Sequence, residues 1–310
     1  QLTEGQKQAI SKALTYSVSI ISGGPGTGKT SIVVSLLSVL QLLGIEACDI
    51  VLAAPTGKAA QRLTTSVREV VATTSCTLHS KDLEDAKTLH RLLRYSPSRD
   101  VFMHGKQFRL SGKVFIIDEA SMIDLVLMHR LLSALPDQSL LILIGDADQL
   151  PAVDAGAVFA ELVQAVRQNE KILPFGYHCL TENFRMREDD PEGKQVLMLA
   201  DTIRLGAADK IFNAVSPMIS TVSYLDECSF AKTAFWDITS GDSVVAAFLD
   251  GWYRTMINGL PDFYRLVNKH YYYYGNQGFS EDAVRDISRL FTHFDQFKIL
   301  CVTNIYAQGW

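Results

Sequence analysis

Gly23-Gly24-Pro25-Gly26-Thr27-Gly28-Lys29-Thr30 follows the apolar run Val18-Ser19-Ile20-Ile21-Ser22. A strand here feeds a glycine-rich turn, and a helical pattern then runs to about Leu43, with Gly44 as its stop signal. That is the context a phosphate-binding loop requires. Glycines let backbone N–H groups close around phosphate oxygens, and a helix N-terminus favours an anion. Lys29 can reach the β- and γ-phosphates, and the Thr30 hydroxyl can hold Mg²⁺. Gly24 to Thr30 are therefore the candidate ATP-binding residues.

Further strands are legible on the same grounds. Asp49–Ala54, Lys113–Ile117 and Ser139–Ile144 are continuous apolar runs separated by helical patterns, such as Ala59 to about Val71. Strands apolar on both faces and alternating with helices imply a parallel sheet covered on both sides. The expected fold is thus α/β, a P-loop RecA-like parallel sheet with helices on both faces. Thr3 is the expected N-cap of a first helix ending near Tyr16. Residues 95–110 alternate around His104-Gly105 and read as an inserted hairpin. Residues 72–85 read as loop. The acidic stretch Glu188-Asp189-Asp190-Pro191-Glu192-Gly193 suggests a domain boundary at about residue 187. Beyond it lie helical patterns near 194–205, 242–258 and 280–292 and a strand at Lys298–Val302.

The chemistry-bearing residues recur at strand ends. Asp118-Glu119 closes the third apolar run, placing Asp118 to hold Mg²⁺ through water and Glu119 to deprotonate the attacking water. Gly145-Asp146-Ala147-Asp148-Gln149 closes the fourth. Gln149 could bond the γ-phosphate or its water, or the stretch could be a polar turn with locally satisfied Asp side chains. Pro55-Thr56-Gly57-Lys58 ends the second, where Thr56 and the helix start could hold a phosphodiester and Lys58 add charge. His90, in Thr88-Leu89-His90-Arg91, reads equally as a packed core residue.

Composition sets bounds. A chain of 310 residues with 47% hydrophobic content can fill two α/β domains. No run is apolar enough to span a membrane. The five cysteines are scattered without Cys-x-x-Cys spacing, which argues for reduced thiols and a cytoplasmic location. With Gln as first residue and no signal segment, the chain reads as an internal piece of a longer protein. A net charge of −5 argues against coating of duplex DNA. It is compatible with a single strand gripped in a groove by local charge and stacking.

Gly-Gly-Pro-Gly-Thr-Gly-Lys-Thr, Ala-Ala-Pro-Thr-Gly-Lys-Ala-Ala, Thr-Leu-His-Arg-Leu-Leu, Asp-Glu-Ala-Ser-Met-Ile-Asp, Gly-Asp-Ala-Asp-Gln-Leu and Glu-Asn-Phe-Arg stand here in that order. The set resembles superfamily 1 helicases, and closely the RecD family, the alpha subunits of exodeoxyribonuclease V. The resemblance covers residues 1–187 densely and 194–310 weakly. It implies a 5′-to-3′ translocase using ATP and Mg²⁺ on single-stranded DNA and duplex ends. RecB-like and RecC-like partners are implied, with nuclease activity in a different subunit. It also implies that Gln6 reads the adenine edge and Arg185 reaches the γ-phosphate. Lys29, Glu119, Gln149 and Arg185 become the catalytic set, and Pro55, Thr56, Lys58 and His90 the DNA-binding set. The hairpin resembles the family's strand-separating pin, and residues 188–310 a partial second RecA-like domain.

Two features depart from that pattern. The later helicase motifs are absent from these residues, and Lys269-His270-Tyr271-Tyr272-Tyr273-Tyr274-Gly275 matches no family motif. The tyrosine run reads as an aromatic packing or partner surface, or as a stacking platform for bases. Two other functions stay open: a P-loop kinase or NTPase acting on small molecules, and a nucleotide-gated docking subunit.

Overall fold

In the computed structural model the described residues are 2–73, 84–149, 156–169, 174–184, 191–204, 220–221, 234–235, 242–275 and 278–297. The chain divides into two units, Gln1–Gly206 and Ala207–Trp310. The division lies C-terminal to the boundary expected at residue 187.

Unit one is built on a six-stranded sheet whose pairings are all parallel. Its strands are β1 (Val18–Gly23), β2 (Ile50–Ala54), β3 (Lys87–Thr88), β6 (Val114–Ile117), β7 (Leu140–Gly145) and β8 (Phe175–Leu180), ordered β3-β2-β6-β7-β1-β8. Side chains alternate across a strand, so a sheet covered on both faces needs apolar residues at every position. Val114 and Ile116 enter one core and Phe115 and Ile117 the other, and Ile142 and Ile144 part from Leu141 and Leu143 in the same way. The first core is filled by helices α1 (Glu4–Thr15), α2 (Lys29–Leu42) and α3 (Gly57–Thr73). The second is filled by α4 (Leu89–Leu92), α5 (Leu125–Ala134) and α6 (Val158–Gln168). The RecA-like architecture read from the apolar runs is the one observed. Helix α7 (Pro191–Arg204) belongs to this unit, and Arg204 pairs with Asp148 at 3.3 Å.

Thr3 caps α1 in a reciprocal box: its hydroxyl accepts from the Gln6 N–H, and the Gln6 side chain accepts from the Thr3 N–H at 3.1 Å. The inserted hairpin is shorter than expected. Its ladder joins β4 (Tyr95–Ser96) to β5 (Val101–Phe102), so the turn lies at residues 97–100 and not at His104-Gly105. His104 instead stacks on Phe108 at 4.7 Å, and its Nδ1 lies 3.2 Å from the Phe108 carbonyl. The His104 N–H donates to the Leu93 carbonyl at 3.2 Å, beyond the two-residue ladder.

Unit two contains a two-stranded ladder of β9 (Ser220–Thr221) and β10 (Ala234–Phe235). Its described helices are α8 (Asp242–Asn258), α9 (Phe263–Val267) and α10 (Glu281–Phe294). His293 is buried, with Nε2 2.7 Å from the Met256 carbonyl. The strand expected at 298–302 lies outside the described residues. Within the tyrosine run the residues part company. Tyr271 is partly buried, donates to the Leu266 carbonyl at 2.8 Å and carries Lys269 over its ring. Tyr272, Tyr273 and Tyr274 are exposed.

Candidate active site

The C-terminal ends of the parallel strands share one edge of the sheet, the edge at which open α/β sheets bind ligands. There a cavity of about 470 Å³ is lined by Gly24–Thr30, Arg62, Asp118, Glu119, Gln149 and Phe184. Three strands deliver its walls: β1 runs into the loop, β6 into Asp118-Glu119 and β7 toward Gln149.

The loop needs its glycines. Gly26 and Gly28 have φ of 81° and 80°, a left-handed backbone that glycine adopts without steric cost. A Cβ at Gly28 would also collide with Nε2 of Gln6. Thr27 Oγ1 donates to the Gly24 carbonyl at 2.8 Å. Lys29 Nζ donates to the carbonyls of Gly23 and Gly24 at 2.6 and 3.1 Å, so the ammonium is held across the mouth of its own loop.

Asp118 and Glu119 differ in setting. Asp118 Oδ1 accepts the Glu119 N–H at 2.9 Å. Burial pushes the Asp118 carboxyl above the usual carboxylate range; the Glu119 N–H opposes this, Glu119's charge adds to it, and Lys29 and Arg62 oppose it. Glu119 sits at φ 53°, a strained conformation for a residue with a side chain, and its Oε2 is buried without a hydrogen-bond partner among the described residues. A buried carboxylate with an orphaned oxygen beside a desolvated one is a donor set that accepts a hydrated divalent cation and a water. Thr30 lines the same cavity.

Gln149 Oε1 accepts from Ser121 Oγ at 3.3 Å, tying it to the turn that follows Glu119. Asp146 is buried and accepts the Asp148 N–H at 3.1 Å; its carboxyl too is raised, chiefly by burial, with Lys29 among the opposing charges. Sequence reasoning treated this aspartate as part of a polar turn, because its burial under neighbouring strands is a tertiary fact. Arg62 was likewise missed. It is one of several charged residues on α3, and no spacing rule marks it.

Gln6 lines an adjoining cavity of about 220 Å³ with Thr3, Thr27, His178, Glu182 and Phe184. Burial and the nearby Lys12 charge hold the His178 pKa below its usual value. The Glu182-Asn183-Phe184 segment is bound to the loop: Phe184 N–H donates to the Gly26 carbonyl at 2.8 Å and Asn183 Nδ2 to the Pro25 carbonyl at 2.9 Å. Arg185 follows directly but lies outside the described residues.

Residues 6–155 match the family model described as AAA domain. The RecBCD enzyme subunit RecD of Mycobacterium tuberculosis (strain CDC 1551 / Oshkosh) is 38% identical over 228 residues, covering 72% of this chain and 38% of that protein. The chain is homologous to RecD. The ATP-dependent RecD2 DNA helicase of Deinococcus radiodurans is 37% identical over 164 residues, covering 53% of this chain and 20% of that protein. The chain thus spans well under half the length of these RecD relatives. Among solved structures, the Pif1 helicase from Candida albicans aligns at 18% identity and TM-score 0.47, covering 84% of this chain and 55% of that one.

The remaining RecD-like motifs stand along the same sheet edge. Thr56 spends its hydroxyl oxygen as a cap for α3, accepting the Ala59 N–H at 3.2 Å, with Pro55 before it and Lys58 exposed in the first turn. His90 is not the core residue that one reading allowed. It is exposed, its ring 5.4 Å from Tyr95 and 5.8 Å from Phe102, against the base of the hairpin.

The charge pattern makes a testable statement. The fold raises the Asp118 pKa, so this carboxyl's contribution to stability is intact below its unfolded pKa and is lost as pH rises through the folded value. At neutral pH the ionised side chain destabilises the fold. Asp118→Asn should therefore raise its melting temperature, by about 2–4 °C for each kcal/mol relieved. A lower melting point would show that Asp118 is held by a cation already within the fold.

Proposed function

We propose that this chain is the ATPase core of an ATP-dependent 5′-to-3′ DNA helicase of the RecD type, acting on single-stranded DNA and duplex ends. RecB-like and RecC-like subunits are its proposed partners, and the cytoplasm its location. The observation that carries the reading is the shared sheet edge. It presents the loop, Asp118-Glu119 and Gln149 in one cavity, and across β2 the Thr56-capped start of α3 with Lys58. A small-molecule NTPase has no need of that second feature. Among the described residues no helix is long and apolar enough to cross a membrane.

In this reading the loop N–H groups and Lys29 bind the β- and γ-phosphates, Lys29 exchanging its bonds to Gly23 and Gly24 for phosphate oxygens. Thr30 and Asp118 would hold Mg²⁺, which supplies charge neutralisation when bound. Glu119 takes the proton of the attacking water on its unpartnered Oε2, and Gln149 orients that water. Gln6, with its amide against Gly28, reads the adenine edge from the adjoining cavity, and Arg185 completes the charge at the γ-phosphate. Residues 207–310 supply part of a second RecA-like domain. Pro55, Thr56, Lys58 and His90 line the DNA path.

The test is ATP turnover of the full-length protein with and without oligo-dT. Stimulation supports the helicase reading; turnover indifferent to DNA rejects it. The hairpin has a separate expectation. Replacing residues 96–101 with a Gly-Gly turn should reduce duplex unwinding while sparing DNA-stimulated ATPase, because splitting and translocation are distinct tasks. Equal loss of both would make the hairpin a fold element.

A further inference from the structure

Among the described residues two cations line the cavity, Lys29 and Arg62, and of these the proposed mechanism uses only Lys29. Arg62 sits on α3, exposed at the cavity wall, and makes no hydrogen bond or ion pair among the described residues. Arg68 pairs with Asp85, Arg109 with Asp137, Arg167 with Tyr177 and Arg204 with Asp148, and Arg62 is the arginine among the described residues that lines this cavity. Yet Arg62 lies close enough to Asp118 for its charge to be felt there. A guanidinium directed to a polar cavity and left without a partner is a group waiting for an anion.

The sheet order says which part of a nucleotide it would meet. From one edge the strands run β3-β2-β6-β7-β1-β8. The adjoining cavity with Gln6, His178 and Glu182 lies at α1 and β8, on the far side of β1. The loop follows β1 itself. Gln149 follows β7, and Asp118 and Glu119 follow β6. Helix α3 follows β2 and packs against it beyond β6. A nucleotide with its base at α1 and β8 and its phosphates along the loop therefore points its last phosphate toward β6 and β2, the flank that carries Arg62.

We infer that Arg62 binds the terminal phosphate of the nucleotide from α3 and so distinguishes nucleoside triphosphate from diphosphate. The inference rests on the reading of this cavity as the ATP site. It adds a further cation, beside Lys29 and the proposed Arg185, on the side of the polyanionic chain opposite the base. The planar fork suits this task, since it can bridge oxygens of one phosphate with parallel N–H bonds.

The experiment measures dissociation constants of a non-hydrolysable ATP analogue and of ADP, each with Mg²⁺, for the full-length protein and for Arg62→Ala and Arg62→Lys. Arg62→Ala should weaken the analogue about tenfold or more while ADP changes less than about threefold, the loss expected of a hydrogen bond to a charged group. Arg62→Lys should recover part of the discrimination by keeping the charge. Because the side chain is exposed, melting temperatures should stay unchanged and report folding independently. Equal losses for both nucleotides, or none for either, overturn the inference while leaving the ATP site intact. Failure of the unaltered protein to bind either nucleotide overturns the ATP reading itself.

Discussion

Lys29→Ala is expected to abolish ATP hydrolysis and to weaken triphosphate binding sharply. The ammonium donates to the carbonyls of Gly23 and Gly24, at 2.6 and 3.1 Å. These are bonds to the loop's own backbone, and water can replace them when the side chain is removed. The loop is also held by the Thr27–Gly24 bond and by the two bonds from Asn183 and Phe184, none of which involves Lys29. The variant should therefore fold and keep its loop. What it loses is the cation centred on the β- and γ-phosphates, where charge develops in transfer. Removing one such electrostatic donor costs about 10²–10³-fold in turnover, and the binding loss adds to it. Steady-state ATPase and nucleotide titration of the purified, folded variant check the result. Unchanged turnover would reject the phosphate-binding role of the loop.

Glu119→Gln separates binding from chemistry. The Glu119 N–H holds Asp118 Oδ1, and that backbone bond survives the substitution. The amide has nearly the carboxylate's shape, so the left-handed backbone at φ 53° is no worse accommodated. The orphaned Oε2 becomes an NH₂ or remains a carbonyl oxygen, and neither takes a proton from water. Nucleotide affinity should stay within about threefold, since only one neutral-for-charged exchange occurs near the phosphates. Turnover should fall about 10²–10⁴-fold, the usual contribution of a general base. Parallel measurement of affinity and rate in the full-length protein decides the matter. If both collapse together, Glu119 holds the fold of the strand end and another group is the base.

Much of this was legible before any coordinates. The loop at 23–30 is local chemistry, a strand, a turn and a helix start within one stretch of chain, and each requirement falls on a residue type that sequence displays. The apolar runs of β1, β2, β6 and β7, short and alternating with helical patterns, announced a two-faced parallel sheet, which needs apolar residues on both faces of each strand. Thr3 as a cap and Asp118-Glu119 at a strand end follow from the same local rules.

Other elements became visible only in three dimensions. Strand β8 reads Phe-Gly-Tyr-His-Cys-Leu, a mixed composition that no periodicity marks. It is a strand because β1 offers it a partner, and Gly176 is needed there because a Cβ would come within 2.9 Å of the Lys12 carbonyl. His90 alternated between core and site on paper; the rings of Tyr95 and Phe102 place it at the hairpin base. The hairpin turn lies at 97–100 because Tyr95 pairs with Phe102 and Ser96 with Val101, a register that alternation around His104 does not mark.

The sequence by itself determined the glycine-rich loop, the two-faced sheet and the carboxylates at its edge, since these depend on neighbours in the chain and on the strand's period. Tertiary structure alone decided that Gln6 lies against Gly28, that Asp146 is buried, and that Arg62 shares a cavity with Asp118. Those relations join segments far apart in the chain, and only the packing of helices on the sheet sets the distance between them.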